Sequence, residues 1–177
     1  RCEAGQPGSS WQWDGVRFDV LHPHAEDYAR IDAKPNTMSC VLAVTDAQGQ
    51  RMLLTGDLEA EQEARLVREQ ASALRSTTLL VPHHGSKTSS TPAFLDAVAP
   101  RTALVQAGYR NRFGHPAPEI ERRYAERGVA LIRSDRCGAW RWSPGEDPTC
   151  QRDTARRYWH HQPSADGAEL ASRVTKP

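Results

Sequence analysis

The sequence predicts an α/β protein with helices packed on a mixed sheet, and three observations carry that expectation. Short apolar runs bounded by turn residues recur at 39–45, 51–55, 78–81, 102–106 and 130–133. Helical patterns separate the last four of these runs, so several strands come first and helix and strand then alternate three times. The strands that lead into helices are followed by residues capable of chemistry, which is where an open α/β sheet places its site.

Residues 1–10 are a lead-in rich in Gly, Pro and Ser. Residues 11–13, Asp14-Gly15 and 16–21 read as strand, tight turn and strand, Asp-Gly being the hairpin signal. Val16, Phe18 and Val20 alternate with Arg17 and Asp19, giving one buried face and one wet face. Residues 22–36 form a polar loop punctuated by proline, and Asp46-Ala47-Gln48-Gly49 joins the strands at 39–45 and 51–55. The helix expected at 58–73 has Leu58, Ala64 and either Leu66 or Val67 on its apolar side, with Glu59 and Glu61 near the positive end of its dipole.

Residues 78–81 read as a fully buried strand stopped by Pro82. Ser90-Thr91-Pro92 supplies an N-cap hydroxyl and an early proline, Phe94, Leu95 and Val98 bury the helix that follows, and Pro100 ends it. Residues 108–118 are a loop carrying Arg110, Asn111, Arg112 and His115. A third helix at 117–127 ends at Gly128, and 138–142 reads as a last strand. One domain is expected over 1–145 and a polar C-terminal tail over 146–177, with a short helix at 154–161 and disorder over 162–177.

A length of 177 residues suits one domain or part of one. With 23 Lys and Arg against 22 Asp and Glu, bulk charge selects no partner, and contact with nucleic acid would need a local basic patch. No apolar run approaches membrane-spanning length and no signal peptide is apparent. The first residue is Arg1, and the chain is expected to be cut from something longer.

Cys2, Cys40, Cys137 and Cys150 lack the C-x-x-C spacing of a zinc knuckle. Cys40 lies in an apolar run and is expected to be a buried thiol. The even count permits two disulfides, and a Cys137–Cys150 bridge is expected because both residues flank one short strand and its turn. Such a bridge would indicate an oxidising compartment.

The chain is organised around Leu79-Leu80-Val81-Pro82-His83-His84-Gly85-Ser86-Lys87-Thr88-Ser89-Ser90. Two adjacent histidines at the end of a rigid strand can ligate a metal or move a proton, and Gly85 lets backbone or ligand come close. Leu53-Leu54-Thr55-Gly56-Asp57 ends a strand in the same way. Asp57 is either the cap of the next helix or a carboxylate bridging two cations roughly 3.5–4 Å apart, and its two oxygens allow both. Phe113-Gly114-His115-Pro116 adds a third histidine. If the strands are parallel, Asp57, His83, His84 and His115 meet at one edge of the sheet.

These motifs resemble the metallo-β-lactamase-fold domain of the ComEC competence family, whose members are inner-membrane DNA-uptake channels. Trp11-x-Trp13-Asp14-Gly15-Val16-x-Phe18, Leu21-His22-Pro23, Ser39-Cys40-Val41-Leu42 and Gly138-Ala139 extend the resemblance from about residue 2 to residue 142. It implies an αββα sandwich with two divalent metal ions, zinc or manganese, at one end. Asp57 would match the bridging aspartate and His84 its partner ligand. His83 and His115 would line the site, His115 as phosphate contact or acid, and Ser86, Lys87 and Thr88 would hold phosphate oxygens.

The fold's first metal motif, His-x-His-x-Asp-His, is absent, and His22-Pro23-His24 is followed by Ala25-Glu26-Asp27. The chain therefore resembles the C-terminal half of the domain, expected to be inactive alone. What the resemblance implies for the intact protein is a metal-dependent nuclease cutting DNA phosphodiesters on the outer, periplasmic face of the inner membrane. Its partners would be DNA, the N-terminal half of the domain, the membrane channel and other competence proteins. The alternatives are another hydrolase of the same fold and a non-enzymatic module that binds DNA or braces the channel. For that module, Arg110, Arg112, Arg122, Arg123 and Arg127 would be the electrostatic footprint.

Overall fold

The structure is a computed structural model that describes residues 9–29, 34–143, 146–155 and 157. Seven strands form one sheet in sequence order. β1 (Ser10–Trp13) and β2 (Val16–His22) make the hairpin about Asp14-Gly15, and both turn residues have positive φ, as the two-residue turn demands. β2 pairs antiparallel with β3 (Val41–Thr45), and β3 with β4 (Arg51–Leu54). From β4 onward the pairing is parallel through β5 (Thr78–Leu80), β6 (Thr102–Val105) and β7 (Ala130–Arg133).

Parallel neighbours need crossovers, and α1 (Ala60–Leu74), α2 (Pro92–Val98) and α3 (Pro118–Glu126) supply them. The strands advance in one direction and such crossovers are right-handed, so all three helices lie on one face. The packing agrees. Leu66, Leu74, Phe94, Leu95, Val98, Ile120 and Tyr124 share one core with Ala43, Leu53, Leu79 and Ala103. Those four strand residues are successive cross-strand partners.

The opposite face carries Leu42, Val44, Met52, Leu54, Leu80 and Leu104, all only half-buried. A hairpin of β8 (Trp140–Arg141) and β9 (Thr149–Cys150) covers part of it, held by the Cys137–Cys150 disulfide that was expected. Trp140, Trp142 and Pro148 wall a groove of about 270 Å³ over Val44, Met52, Thr78 and Thr102.

Several local expectations are corrected. α1 begins at Ala60 with no side-chain cap, so Asp57 does not cap it. Ala64 is exposed, while Gln62 and Glu63 are buried beside Leu66. Thr91 precedes α2 without capping it by its hydroxyl. The Glu63 carboxylate reaches over from α1 instead and accepts the Ser90 and Thr91 N–H groups at 2.6 and 2.7 Å. Cys40 is half-buried and disulfide-bonded, not a buried thiol.

The strand expected at 138–142 shortens because a helical turn, Ser134–Cys137, runs into Gly138. β9 was not anticipated, since two residues carry no period. A single turn, Gln151–Thr154, follows it. Most of the helix expected at 154–161, and all of the tail at 162–177, lie outside the described residues.

Candidate functional site

Because β4, β5 and β6 are parallel, the segments after them emerge at one edge and are tied together there. The His83 N–H donates to the Gly56 carbonyl at 2.9 Å, and the Ala117 N–H donates to the Gly85 carbonyl at 2.9 Å. The Asp57 N–H donates to Ser39 Oγ at 3.1 Å, which fixes the aspartate from the β3 side. Gly85 has φ +81°, and a Cβ there would lie 2.6 Å from Pro116 Cβ, so only glycine permits this approach. His83 and His84 also have positive φ, 49° and 56°. Two non-glycine residues in this region cost on the order of 1–3 kcal/mol each, and such strain concentrates at functional sites.

The hydrogen bonding of His84 decides its chemistry. Its Nδ1 lies 2.8 Å from the Gln106 carbonyl, an acceptor only, which assigns the proton to Nδ1. Nε2, which carries the lone pair in the neutral ring, faces Asp57 Oδ1 at 3.4 Å. Two acceptors facing each other are satisfied together by a cation or proton between them, and a backbone carbonyl behind the imidazole is the usual support of a metal-ligating histidine. Both side chains are nearly half-exposed, 48% and 43%.

His83 Nδ1 lies 3.2 Å from Thr88 Oγ1 and 3.4 Å from Glu59 Oε1. Thr88 Oγ1 is also 3.1 Å from Ser86 Oγ. Ser86 and Thr88 are thus arrayed about His83, and Lys87 is exposed beside them. The next two hydroxyls are structural. Ser89 Oγ donates to the Pro82 and Ser86 carbonyls, and buried Ser90 Oγ pairs with Tyr124 Oη at 3.1 Å.

His115 lies with its ring centroid 6.3 Å from that of His83. Its Nδ1 is buried and has no hydrogen-bond partner among the described residues. Burial lowers its pKa below the usual histidine value, and His83 and His84 add to the shift, so the imidazole is neutral at pH 7. Asn111 holds its backbone by donating to the His115 carbonyl at 2.7 Å and accepting the His115 N–H at 2.9 Å.

His22 and His24 are not part of this site. His22 is 1% exposed and bonds the Ser39 carbonyl through Nδ1, while His24 bonds Arg65 and Gln70. The arginine footprint is also smaller than expected. Arg123 donates to the Ser89 and Ser90 carbonyls, and Arg127 pairs with Asp96. Among the described residues, no group of three or more His, Cys, Asp or Glu is arranged to hold a metal ion. Asp57 and His84 are a pair of donors.

Gln106, Glu63 and Asn111 were not assigned roles from sequence, and Glu59 only a place near the helix dipole. The Gln106 contribution is a backbone carbonyl and has no sequence signature. Only Asn111, placed between Gly108 and Gly114, carried a usable turn signal.

No protein-family model matches the chain. It is 39% identical over 155 residues to competence protein ComA of Neisseria gonorrhoeae, covering 86% of this chain and 22% of that protein. ComE operon protein 3 of Bacillus subtilis is 33% identical over 131 residues, 74% of this chain and 16% of the relative. Recombination protein 2 of Haemophilus influenzae is 37% identical over 115 residues, 65% of this chain and 13% of the relative. The chain thus spans between about an eighth and a fifth of these relatives' length, and it belongs to the ComEC family of competence proteins.

Proposed function

We propose that this chain is part of a DNA-uptake protein and supplies the Asp57–His84 corner of a metal-dependent phosphodiesterase site acting on DNA. One observation carries the reading: His84, whose Nδ1 is held by the Gln106 carbonyl at 2.8 Å, directs Nε2 at Asp57 Oδ1, 3.4 Å away. Asp57 and His84 would hold divalent ions, and this oxygen–nitrogen donor set suits zinc or manganese. Such ions ready water for attack and offset the charge of the phosphate oxygens.

The chain's own groups do the positioning. Gln106 orients His84, and Thr88 and Glu59 orient His83. His115, neutral at pH 7 and beside His83, would lie near a phosphodiester, whose negative charge would favour its protonation for use as an acid. Ser86, Lys87 and Thr88 would hold phosphate oxygens. The remaining ligands would come from the N-terminal half of a metallo-β-lactamase-like domain, packed on the half-buried face of Leu42, Val44, Met52 and Leu104.

The disulfides at Cys40 and Cys137–Cys150 support a periplasmic position beside the channel of an inner-membrane protein, in company with other competence proteins. Among the described residues no helix is long and apolar enough to cross a membrane. A second reading, a module that holds DNA without cutting it, is favoured by the two-donor set.

The test is cleavage of labelled DNA by the full-length protein with added manganese or zinc, alongside its bound-metal content. Asp57→Ala and His84→Ala are expected to lower both, cleavage by roughly a hundredfold or more. Undiminished cleavage in Asp57→Ala overturns the catalytic reading, and DNA binding without cleavage in the unmodified protein selects the second.

A further inference from the structure

We propose that Ser39, held from behind by the buried His22, is a positioning residue that aims the Asp57 carboxylate into the candidate site. The inference rests on the reading of Asp57 as a ligand given above and adds what keeps that ligand in place. Leu21-His22-Pro23 and Ser39-Cys40-Val41-Leu42 stand far from Asp57 in sequence and have no part in the chemistry described so far. Folding brings one residue of each to the back of the aspartate.

Asp57 needs support from outside its own strand. Gly56 precedes it with φ +54°, so the chain leaves the direction of β4 immediately before the carboxylate. The backbone ladder between β3 and β4 ends at Leu42 and Leu54 and does not reach Asp57. Beyond that end the Ser39 hydroxyl takes over, and its Oγ accepts the Asp57 N–H at 3.1 Å. A Cβ on residue 56 would lie 3.4 Å from Ser39 Cβ, so glycine lets the two segments meet this closely. Asn36, on the turn Pro35–Met38 that leads into Ser39, donates to Glu59 Oε1 at 3.4 Å and braces the same segment two residues on.

His22 fixes the serine in turn. Its Nδ1 lies 2.8 Å from the Ser39 carbonyl, an acceptor only, so this nitrogen carries the proton and donates it. The ring is fully buried, and close packing denies it the freedom to swing away. Two bonds therefore run in series, from His22 Nδ1–H to the Ser39 carbonyl and from the Asp57 N–H to the Ser39 hydroxyl. The second is made to the backbone and leaves the carboxylate oxygens to the site, one of them facing His84 Nε2 at 3.4 Å. A site needs its ligands held within roughly 0.5 Å, and loss of a supporting partner typically costs about 10–100-fold in metal affinity.

The test compares the full-length wild type with Ser39→Ala and Ser39→Thr. Manganese affinity is read by electron paramagnetic resonance, alongside cleavage kinetics on labelled DNA and the melting temperature. Ser39→Ala should weaken manganese binding by roughly tenfold and lower kcat by a similar factor, leaving the KM for DNA and the melting temperature close to wild type. Ser39→Thr keeps the hydroxyl and should restore both. His22→Asn, which keeps a donor toward the Ser39 carbonyl, should bind manganese more tightly than His22→Ala.

Wild-type manganese affinity in Ser39→Ala overturns the proposal. So does a loss that Ser39→Thr does not restore or that follows a fall in melting temperature, since either shows a merely structural serine. Equal binding by the two His22 variants overturns the part assigned to the histidine. Failure of the ligand reading is distinguishable, because it shows as no manganese binding in the wild type or undiminished binding in Asp57→Ala. Failure of the positioning alone leaves Asp57→Ala impaired and Ser39→Ala normal.

Discussion

Glu63 offers the sharpest test of how the site is built. It is fully buried on α1, and its carboxylate caps the Ser90–Thr91 segment with bonds of 2.6 and 2.7 Å. Hydrogen bonds to a charged group contribute about 1.5–3 kcal/mol each, and a stranded buried N–H costs about 1–3 kcal/mol. Burial opposes this by disfavouring the charge, and it outweighs the two N–H bonds, so the Glu63 pKa lies above its ordinary value. Glu63→Ala, which strands two donors and leaves a cavity, should therefore cost about 2–4 kcal/mol. Glu63→Gln keeps the volume but turns an NH₂ toward one of the donors, at about 1–3 kcal/mol.

The sign of the pH dependence follows from the raised pKa. A raised folded pKa contributes stability that is fully present below the unfolded value of 4.5 and is lost as pH rises through the folded value. The stability gap between wild type and Glu63→Gln should thus be widest near the acid end and narrow toward neutrality. Urea denaturation followed by tryptophan fluorescence at several pH values measures it. A gap that widens with rising pH would show that the ionised form is favoured by folding and refute the reasoning, as would a Glu63→Ala variant of unchanged stability.

Two further outcomes are expected. Gly85→Ala should destabilise by at least about 2 kcal/mol and lower the melting temperature, because φ is +81° and the new methyl would meet Pro116 at 2.6 Å; an unchanged melting point would mean that the two loops are not in contact. His22 is 1% exposed and its pKa is lowered by burial, so its share of stability is present above 6.5 and lost as pH falls through the lowered value. His22→Asn, which can keep a donor to Ser39, should flatten the loss of stability between pH 7 and 5, and an equally steep loss in the variant would count against that assignment.

The amino-acid sequence determined the order of the elements and the turn chemistry. Asp14-Gly15, Pro92 and Gly128 act on neighbours within a few residues, where backbone restriction suffices, whereas the wet face expected at Asp19 is buried in the fold, its carboxylate bonded to Ser10 and Arg17. Convergence at one edge was legible as well, because Asp57, His83-His84 and His115 each follow a strand of one parallel run. The conditional element there, parallel pairing, holds from β4 to β7.

Tertiary structure alone decided the rest. Sequence spacing could not show that Glu63 caps a helix 27 residues away, nor that Gly85 is shaped by Pro116. The Gln106 carbonyl fixes the His84 tautomer through a backbone atom that every residue possesses. Arg123 and Arg127 looked like a binding surface, yet folding engages them with the Ser89 and Ser90 carbonyls and with Asp96. Local preference is set by side-chain shape and φ, whereas a buried polar group takes whatever partner the packing of distant segments brings within about 3 Å.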